Sequence, residues 1–304
     1  MSNYCVSSPL NFTGGKYKLL PQILPLFPKK INTFVDIFCG GCNVGINTEA
    51  KKVVCNDIDS NIIGLMNFFK KSTYENLKQK IDKLINEYGL SDSCKNGYAY
   101  YNCTSSSGLG AYNKNGFLNL RKDFNSMNVT NPDYYLFFYV LIIFSFNNQI
   151  RFNSKGNYNL PVGKRDFNLK MQKKLEAFMF NIKKIQFVNS SFESFLPESL
   201  NYDDFVYADP PYLITCATYN EKNGWNEELE RKLLCYLDSL TKANIKFAMS
   251  NVLVSNGKQN NLLLEWINFH PEYKCHHLSY TYKNSNYHKK QISPETDEVL
   301  VTNY

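Results

Sequence analysis

Asn32-Thr-Phe-Val-Asp-Ile-Phe-Cys-Gly-Gly41 is rich in β-branched and aromatic residues and ends in two glycines, and Lys52-Val-Val-Cys-Asn-Asp57 is a second such run that ends in an acid. These patterns predict two strands, with room for one short helix between them. A β-α-β unit of this kind builds parallel sheets, which bind ligands at the carboxyl ends of their strands. The expected ligand edge therefore carries Asp36 and Asp57.

Three later runs have the same strand character, at 204–209, 245–250 and 298–302, and a helical pattern over 227–240 separates two of them. In that helix apolar residues recur every three or four positions, so one face is suited to packing on a sheet. Strands that alternate with helices indicate an α/β fold.

Residues 61–179 break this alternation. They contain four helical patterns without intervening strands, at 61–88, 116–127, 132–146 and 168–183. The Ser-, Gly- and Asn-rich stretch 91–115 is predicted to be a loop, and two polar-aromatic runs joined at Ser154-Lys-Gly156 predict a β-hairpin. We therefore predict one domain made of 1–60 and 180–304, and an inserted module over 61–179.

The composition limits the class of protein. With 304 residues, 43% of them hydrophobic, and a formal charge of +7, the chain can bury a large core and is not a disordered tail, and the modest charge disfavours a purely structural nucleoprotein. The longest apolar run, 135–146, is shorter than the roughly 20 residues that a bilayer span needs, and it predicts a buried helix. The first residues have neither the basic start nor the apolar stretch of a secretory signal, which predicts a cytoplasmic location.

The nine cysteines are an odd number without framework spacing, which indicates free thiols in a reducing compartment. Cys39-Gly-Gly-Cys42 lacks a second pair at zinc spacing, and Cys275-His276-His277 lacks a carboxylate or cysteine partner. We predict no metal site.

Asp209-Pro-Pro-Tyr212 follows one of the predicted strands and is the most informative tetrapeptide of the chain. Two prolines stiffen the backbone, so that the Asp209 carboxylate and the Pro210 carbonyl offer two fixed acceptors beside the Tyr212 ring. Two acceptors suit an exocyclic NH₂ group. Taken alone, these four residues are equally well explained as a turn that caps a strand and exposes a tyrosine.

Two glycine turns point to a small anionic or nucleoside ligand. Phe12-Thr-Gly-Gly-Lys16 lacks the first glycine and the final Ser or Thr of a phosphate loop, which disfavours ATP, whereas a Gly-Gly turn that presents one lysine could bind a carboxylate. Gly40-Gly41, with Asp57 at the end of the next strand, lacks the G-x-G-x-x-G pattern of dinucleotide sites. A nucleoside without a pyrophosphate fits better.

In this order along the chain, four motifs resemble those of the Dam-type (D12 class) DNA adenine-N6 methyltransferases of bacteria and phages: Phe12–Lys16, Phe34–Gly41, Asn56–Ile58 and Asp209–Tyr212. The resemblance extends to 146–165, 205–215, 246–252 and 296–299 and so covers nearly the whole chain. It implies a Rossmann-like S-adenosylmethionine-dependent methyltransferase sheet with an inserted helical and β-hairpin target-recognition domain. The implied enzyme flips adenine out of double-stranded DNA and methylates its N6.

The same resemblance implies roles for individual residues. Seven of them match cofactor-contacting positions, with Asp57 on the ribose and Phe192 on the adenine: Phe12, Lys16, Asp36, Phe38, Asp57, Phe192 and Asp209. Catalysis falls to Asp209, Pro210 and Tyr212, where the two acceptors orient the amine and stabilise positive charge on N6 while the ring stacks on the flipped base. With a pKa of about 3.9, Asp209 is ionised at neutral pH unless burial shifts it. Plain core packing is the alternative for Phe38 and Phe192.

The resemblance also implies DNA contacts at Phe146, Asn147, Gln149, Arg151, Asn153 and Arg165. Arg can hold guanine, and Gln adenine, by two hydrogen bonds in the major groove, whereas phosphate contact without sequence reading is the alternative for both arginines. Relatives often have an apolar residue at position 149 and some have Ser at 147, so the expected target is GATC or a related short site. Five lysines are expected to be phosphate contacts or solvated charge: Lys155, Lys164, Lys283, Lys289 and Lys290.

Two alternatives of different kinds stay open. The enzyme could methylate another amine, namely cytosine N4, adenine in RNA, or a protein amide. The chain could also be a DNA-binding protein that has kept the fold and lost catalysis, although intact Lys16, Asp57 and Asp209 argue against this. The sequence indicates no particular protein partner.

Overall fold

The structure is a computed structural model that describes residues 5–12, 14–215, 224–279 and 296–304. Within these ranges eight strands form one sheet: β1 (Thr33–Asp36), β2 (Lys52–Asn56), β3 (Ile185–Val188), β4 (Phe205–Ala208), β5 (Lys246–Ser255), β6 (Lys258–Gln259), β7 (Lys274–Leu278) and β8 (Asp297–Thr302). All five predicted strands are present. The strands that were not predicted, β3, β6 and β7, are short or partly exposed, so their sequences lack a buried strand pattern.

The strand order is β3-β2-β1-β4-β5-β8-β7, with β6 paired to β5. The five strands from β3 to β5 are parallel, and β8 and β7 join the sheet antiparallel. The central strands β1 and β4 are buried along almost their whole length, which is why they read as continuous apolar runs. The predicted α/β class, with a mostly parallel central sheet, is confirmed.

Nine α-helices lie in the described ranges: α1 (Leu20–Ile23), α2 (Ser60–Lys71), α3 (Tyr74–Glu87), α4 (Ser93–Tyr100), α5 (Gly110–Ser126), α6 (Tyr134–Phe144), α7 (Leu169–Asn181), α8 (Glu227–Lys242) and α9 (Asn261–Phe269). The prediction of a short α-helix between β1 and β2 is wrong, because this connection contains only a 3₁₀ turn, Gly45–Asn47. Gly40 and Cys42 have positive φ angles of 44° and 62°, which interrupt helical backbone just before it.

Two other predictions in the helical region need correction. The single helix predicted over 61–88 is two helices, because Thr73 starts α3 as its N-cap and its Oγ1 accepts from the Asn76 N–H. The stretch 91–115 is not a loop throughout, since it contains α4 and the start of α5. Asp92 caps α4 by accepting from the Lys95 N–H. The polar residue at this position therefore marks the start of a helix.

The chain divides into two compact units, here named the sheet unit and the helical unit. The sheet unit comprises Lys16–Cys39, Asn47–Ile58 and Ile185–Tyr304, and the helical unit comprises Met1–Gly15, Gly40–Ile46 and Asp59–Lys184. The core of the sheet unit lies between the sheet and the two helices α8 and α9. On α8 the apolar stripe that was predicted packs into this core, in which Leu233 and Leu237 join Val206 and Phe247 of the sheet.

The helical unit is built around α6, which buries eight of its eleven residues. Phe138 of α6 lies parallel to Phe124 of α5, with ring centroids 5.7 Å apart. The apolar run was therefore correctly predicted to be a buried helix. No helix in the described ranges is long and apolar enough to cross a membrane.

The predicted hairpin is present in the helical unit as a narrow antiparallel loop with two single bridges, Ser145 to Val162 and Phe152 to Tyr158. Its turn is closed by hydrogen bonds from the Asn153 N–H to the Asn157 carbonyl and from the Gly156 N–H to the Asn153 carbonyl. Tyr158 is 1% exposed and lies edge-on to the Phe138 ring at 6.2 Å. The hairpin is thus anchored by its aromatic face.

Candidate active site

Three carboxylates follow the ends of adjacent parallel strands in the sheet unit. Asp36 ends β1, and its register partners are Cys55 of β2 and Tyr207 of β4. Asp57 and Asp209 each lie two residues beyond those partners. Because the strands are parallel, all three acids lie at the same edge, where sheets of this type bind ligands.

A buried asparagine ties this edge together. The Asn56 Nδ2 group donates to the carbonyls of Ile37 and Ser190, at 3.1 and 3.0 Å, and its Oδ1 accepts from the Ser190 N–H at 3.0 Å. Next to it, the Asn189 side chain donates to the Asp57 carbonyl at 2.8 Å. These bonds fix the end of β1, the end of β2 and the segment that leads to Phe192.

Three aromatic rings form one group near this edge. The Phe38 ring centroid lies 5.4 Å from that of Phe192 and 5.5 Å from that of Trp225, and the Trp225 to Phe192 distance is 6.3 Å. The indole of Trp225 donates to the buried Glu230 carboxylate, which also accepts from Asn251 Nδ2 at 2.9 Å. Burial raises the pKa of Glu230, and these two hydrogen bonds oppose the rise.

Lys16, Asp209, Tyr212 and Glu298 form a buried polar cluster. The Lys16 Nζ atom, on a side chain that is 2% exposed, lies 2.9 Å from Asp209 Oδ1 and 3.4 Å from Glu298 Oε1. The Tyr212 hydroxyl lies 3.1 Å from each of the same two oxygens, and its single proton is shared between them. The Lys16 ammonium also lies 4.8 Å from the centre of the Tyr212 ring, within cation–π range.

The Asp209 carboxyl has an altered pKa. Burial raises it, the charge and hydrogen bond of Lys16 lower it, and the nearby Glu298 carboxylate raises it, so the pKa lies above its ordinary value of 3.8. Both hydrogen-bond contacts of this carboxylate with described residues use Oδ1. Oδ2 is thus the oxygen that the cluster leaves for a donor from outside.

Phe12, the remaining residue expected at the cofactor, belongs to the helical unit. Its carbonyl accepts from the Gly15 N–H at 3.1 Å, and its ring packs on Gly40, where an added Cβ atom would lie 3.2 Å from the ring. Gly40 therefore allows a close approach of the backbone to the aromatic ring, in addition to its positive φ.

The six residues expected at DNA all lie in the helical unit, between α6 and α7. Phe146 is 48% exposed, and Asn147, also exposed, has a positive φ of 53°. The next residue, Asn148, fixes this corner because its Nδ2 group donates to the Ile142 and Ile143 carbonyls at the end of α6, at 3.2 and 2.6 Å. Gln149 is partly buried, and its carbonyl accepts from Tyr158 OH.

Within the hairpin, two of the expected contacts also have structural partners. The Arg151 guanidinium donates to the Oδ1 and carbonyl of Asn159 across the hairpin, at 2.8 and 3.1 Å, and stays exposed. The Asn153 Oδ1 accepts from the Lys155 and Asn157 N–H groups and so forms the turn. Lys155, Lys164 and Arg165 are exposed, whereas Lys283, Lys289 and Lys290 lie outside the described residues.

Sequence reasoning missed two residues of the sheet unit that contact the site. Glu298 is an acid that is 1% exposed and directly precedes the apolar residues 299–301 of strand β8, and a buried acid beside an apolar run was a usable signal. Trp225, one of two tryptophans, precedes α8, and nothing in its local sequence connects it to Phe38 or Phe192. Both are brought to the site by long-range packing.

A family model for D12 class N6 adenine-specific DNA methyltransferases matches residues 12–284. The chain is 42% identical to the type II methyltransferase M.FokI of Planomicrobium okeanokoites, over 100% of this chain and 44% of that protein. It is 41% identical to the modification methylase StsI of Streptococcus sanguinis, over 98% and 43%, and 27% identical to the DNA adenine methylase of Escherichia coli K12, over 80% and 79%. The chain thus spans less than half the length of the first two relatives.

Proposed function

This chain belongs to the D12 class N6 adenine-specific DNA methyltransferase family, and we propose that it transfers a methyl group from S-adenosylmethionine to N6 of an adenine in double-stranded DNA. The observation that carries the proposal is the cluster around Asp209. A carboxylate held by Lys16 and Tyr212 through one oxygen, and followed by a rigid Pro-Pro step, offers fixed acceptors at the ligand edge of a parallel sheet.

The donor set suits S-adenosylmethionine. Lys16, which is already paired with Asp209 and Glu298, stays a proposed cofactor contact, the partly buried Asp57 offers an acceptor for the ribose hydroxyls, and the Phe38 and Phe192 rings offer an apolar face for the adenine. We add Trp225 to this group because its ring lies against both phenylalanines. When bound, the cofactor supplies an activated methyl group on a sulfonium.

The residues of the chain then have two tasks, which are to orient the adenine amine and to stabilise the charge that develops on it. The adenine amine is a weak nucleophile because its lone pair is delocalised into the ring, so Asp209 Oδ2 and the Pro210 carbonyl accept its two N–H bonds and hold the lone pair toward the methyl group. As positive charge develops on N6, the Asp209 carboxylate stabilises it. Lys16 contacts both Asp209 and Glu298, so it holds the Asp209 carboxylate in place for this step. Tyr212 fixes Asp209 through its hydroxyl and, in our proposal, offers its ring to the flipped base.

Target recognition is assigned to 61–179, the insert in the sheet domain of 1–60 and 180–304. In this proposal Phe146 and Asn147 border the space that the flipped base leaves, and Gln149, Arg151, Asn153 and Arg165 contact the DNA. The rigid corner at the end of α6 and the cross-hairpin bonds of Arg151 support it, because both hold side chains in place before DNA binds. The proposed target is GATC or a related short site, and the proposed location is the cytoplasm.

The experiment is to incubate the protein with labelled S-adenosylmethionine and unmethylated duplex DNA, and then to map modified bases by single-molecule sequencing. We expect N6-methyladenine at one short motif, and GATC would support the assigned hairpin contacts. Label in cytosine, RNA or protein but not in DNA adenine would overturn the proposed substrate. An Asp209→Ala control excludes a contaminating activity.

A further inference from the structure

A cavity of about 470 Å³ in the helical unit is lined by four cationic side chains: Lys164, Arg165, Lys170 and Lys174. Its size is within the range of pockets that bind small ligands or parts of larger ones. Among the described residues that line it there is no Asp or Glu. Four cations whose charge the wall does not balance favour an anionic ligand.

One wall of the cavity is fixed by close backbone packing that only glycine permits. A Cβ atom on Gly163 would lie 2.3 Å from the Ser145 carbonyl oxygen, and one on Gly108, whose φ is +74°, would lie 2.6 Å from Lys164 Cβ. The Lys164 carbonyl accepts from the Leu109 N–H at 3.0 Å. Lys164 and Arg165 therefore extend from a well-anchored segment.

The other two cations lie on α7. Asn168 is its N-cap, and Lys170 and Lys174 are four residues apart, so they share one face of the helix. Like charges at this spacing destabilise a helix, and its first turn contains no acid that would offset them. Burial lowers the pKa of Lys174, and the charges of Lys170 and Arg165 lower it further. A bound anion would relieve this repulsion.

The cavity also borders the corner proposed to contact DNA. Asn148 and Asn11 line it, and Asn11 Nδ2 donates to the Asn147 carbonyl at 2.7 Å. We propose that the cavity binds a backbone phosphate of the duplex DNA substrate and thereby sets the register in which Phe146–Gln149 meets the bases. Phosphate contacts typically have this positioning role, whereas base contacts specify the sequence. The inference rests on the proposed function.

A pair of neighbouring lysines on α7 provides the test. Lys174→Gln removes a cation of the cavity, and Lys173→Gln is the matched control because Lys173 is exposed on the same helix and does not line the cavity. We expect Lys174→Gln to weaken duplex binding at least tenfold at low salt, as for the loss of a charged hydrogen bond. The slope of log Kd against log salt concentration should fall by about 0.9, and Lys173→Gln should change neither value.

A methylphosphonate scan locates the phosphate. Duplexes with one neutral linkage at successive positions should weaken wild-type binding at one position, and at that position Lys174→Gln should lose no further affinity. Unchanged affinity and slope in Lys174→Gln would overturn the inference, as would tight binding of inorganic phosphate with no sensitive linkage, which would mark a free-anion site. Methyl incorporation by the wild-type protein tests the proposed function separately, so the two failures can be told apart.

Discussion

The Asp209 cluster of the sheet unit and the basic cavity of the helical unit differ in how their charges are balanced. In the cluster one buried ammonium lies between two carboxylates, so the protein itself supplies the counter-charge. In the cavity four cations line a wall that has no carboxylate among the described residues. The difference indicates that the first site is built to hold its own groups still during chemistry, whereas the second takes its counter-charge from a ligand.

The largest expected effect follows from removing a cation at each place. Lys16→Met should destabilise the protein by about 3–5 kcal/mol, because Asp209 and Glu298 lose the buried cation between them. Lys170→Met should change stability by less than about 0.5 kcal/mol, because it removes repulsion on an exposed helix face. Urea unfolding of both variants measures this. Equal losses of unfolding free energy in the two variants would contradict this difference between the cluster and the cavity.

The second expected effect separates turnover from DNA binding. Asp209→Asn keeps the shape of the side chain and removes its charge, so kcat should fall by about 100- to 1000-fold, as when one preorganised electrostatic group is lost. Duplex affinity, measured by fluorescence anisotropy, should stay within about threefold of wild type. Lys174→Gln should instead weaken duplex binding and leave kcat nearly unchanged. An Asp209→Asn variant with undiminished kcat would eliminate the assigned role.

The third expected effect is a pH dependence. Because the pKa of Asp209 lies above 3.8, the methyl-transfer rate should fall on acidification at a higher pH than an ordinary aspartate would cause. The pH dependence of stability has the opposite sign. The stability that Asp209 contributes is fully present below its pKa in the unfolded chain, and it is lost as the pH rises through the raised pKa of the folded protein. Rates and unfolding free energies between pH 4 and 8, compared with those of Asp209→Asn, check both signs. A rate limb that persists unchanged in the residual activity of Asp209→Asn would assign it to another group.

The smallest expected effect concerns Glu230, a buried carboxylate of the sheet unit that is held by neutral donors. Glu230→Gln keeps one acceptor oxygen but turns its NH₂ group toward one of the two donors, so it should cost about 1 kcal/mol, the low end of the penalty for a single unsatisfied buried donor. Glu230→Ala should cost about 1–3 kcal/mol or more, because Trp225 and Asn251 then lose their acceptor. Thermal unfolding of the two variants measures the gap, and identical losses would contradict the importance of these hydrogen bonds.

The sequence predicted the parts of the fold that depend on local pattern. β1 and β4 are buried on both faces, so their continuous apolar runs were readable, as was the single-faced stripe of α8. The sequence did not predict a strand whose formation depends on a neighbouring strand. β7 has only one buried residue in five, and it is a strand because β8 pairs with it. The helix breaks at Thr73 and the cap at Asp92 were visible only as polar residues.

For the candidate sites the division is the same. The sequence by itself determined the α/β class, the acids at the strand ends, the Asp-Pro-Pro-Tyr corner and the family resemblance, because each of these lies in a short contiguous segment. Only the tertiary structure brought Glu298 to Lys16, Trp225 to Phe38 and Phe192, and Lys174 to Arg165. Those groupings depend on strand register, on helix packing and on the glycines that let Gly163 meet Ser145, and sequence spacing does not encode distances between elements far apart in the chain.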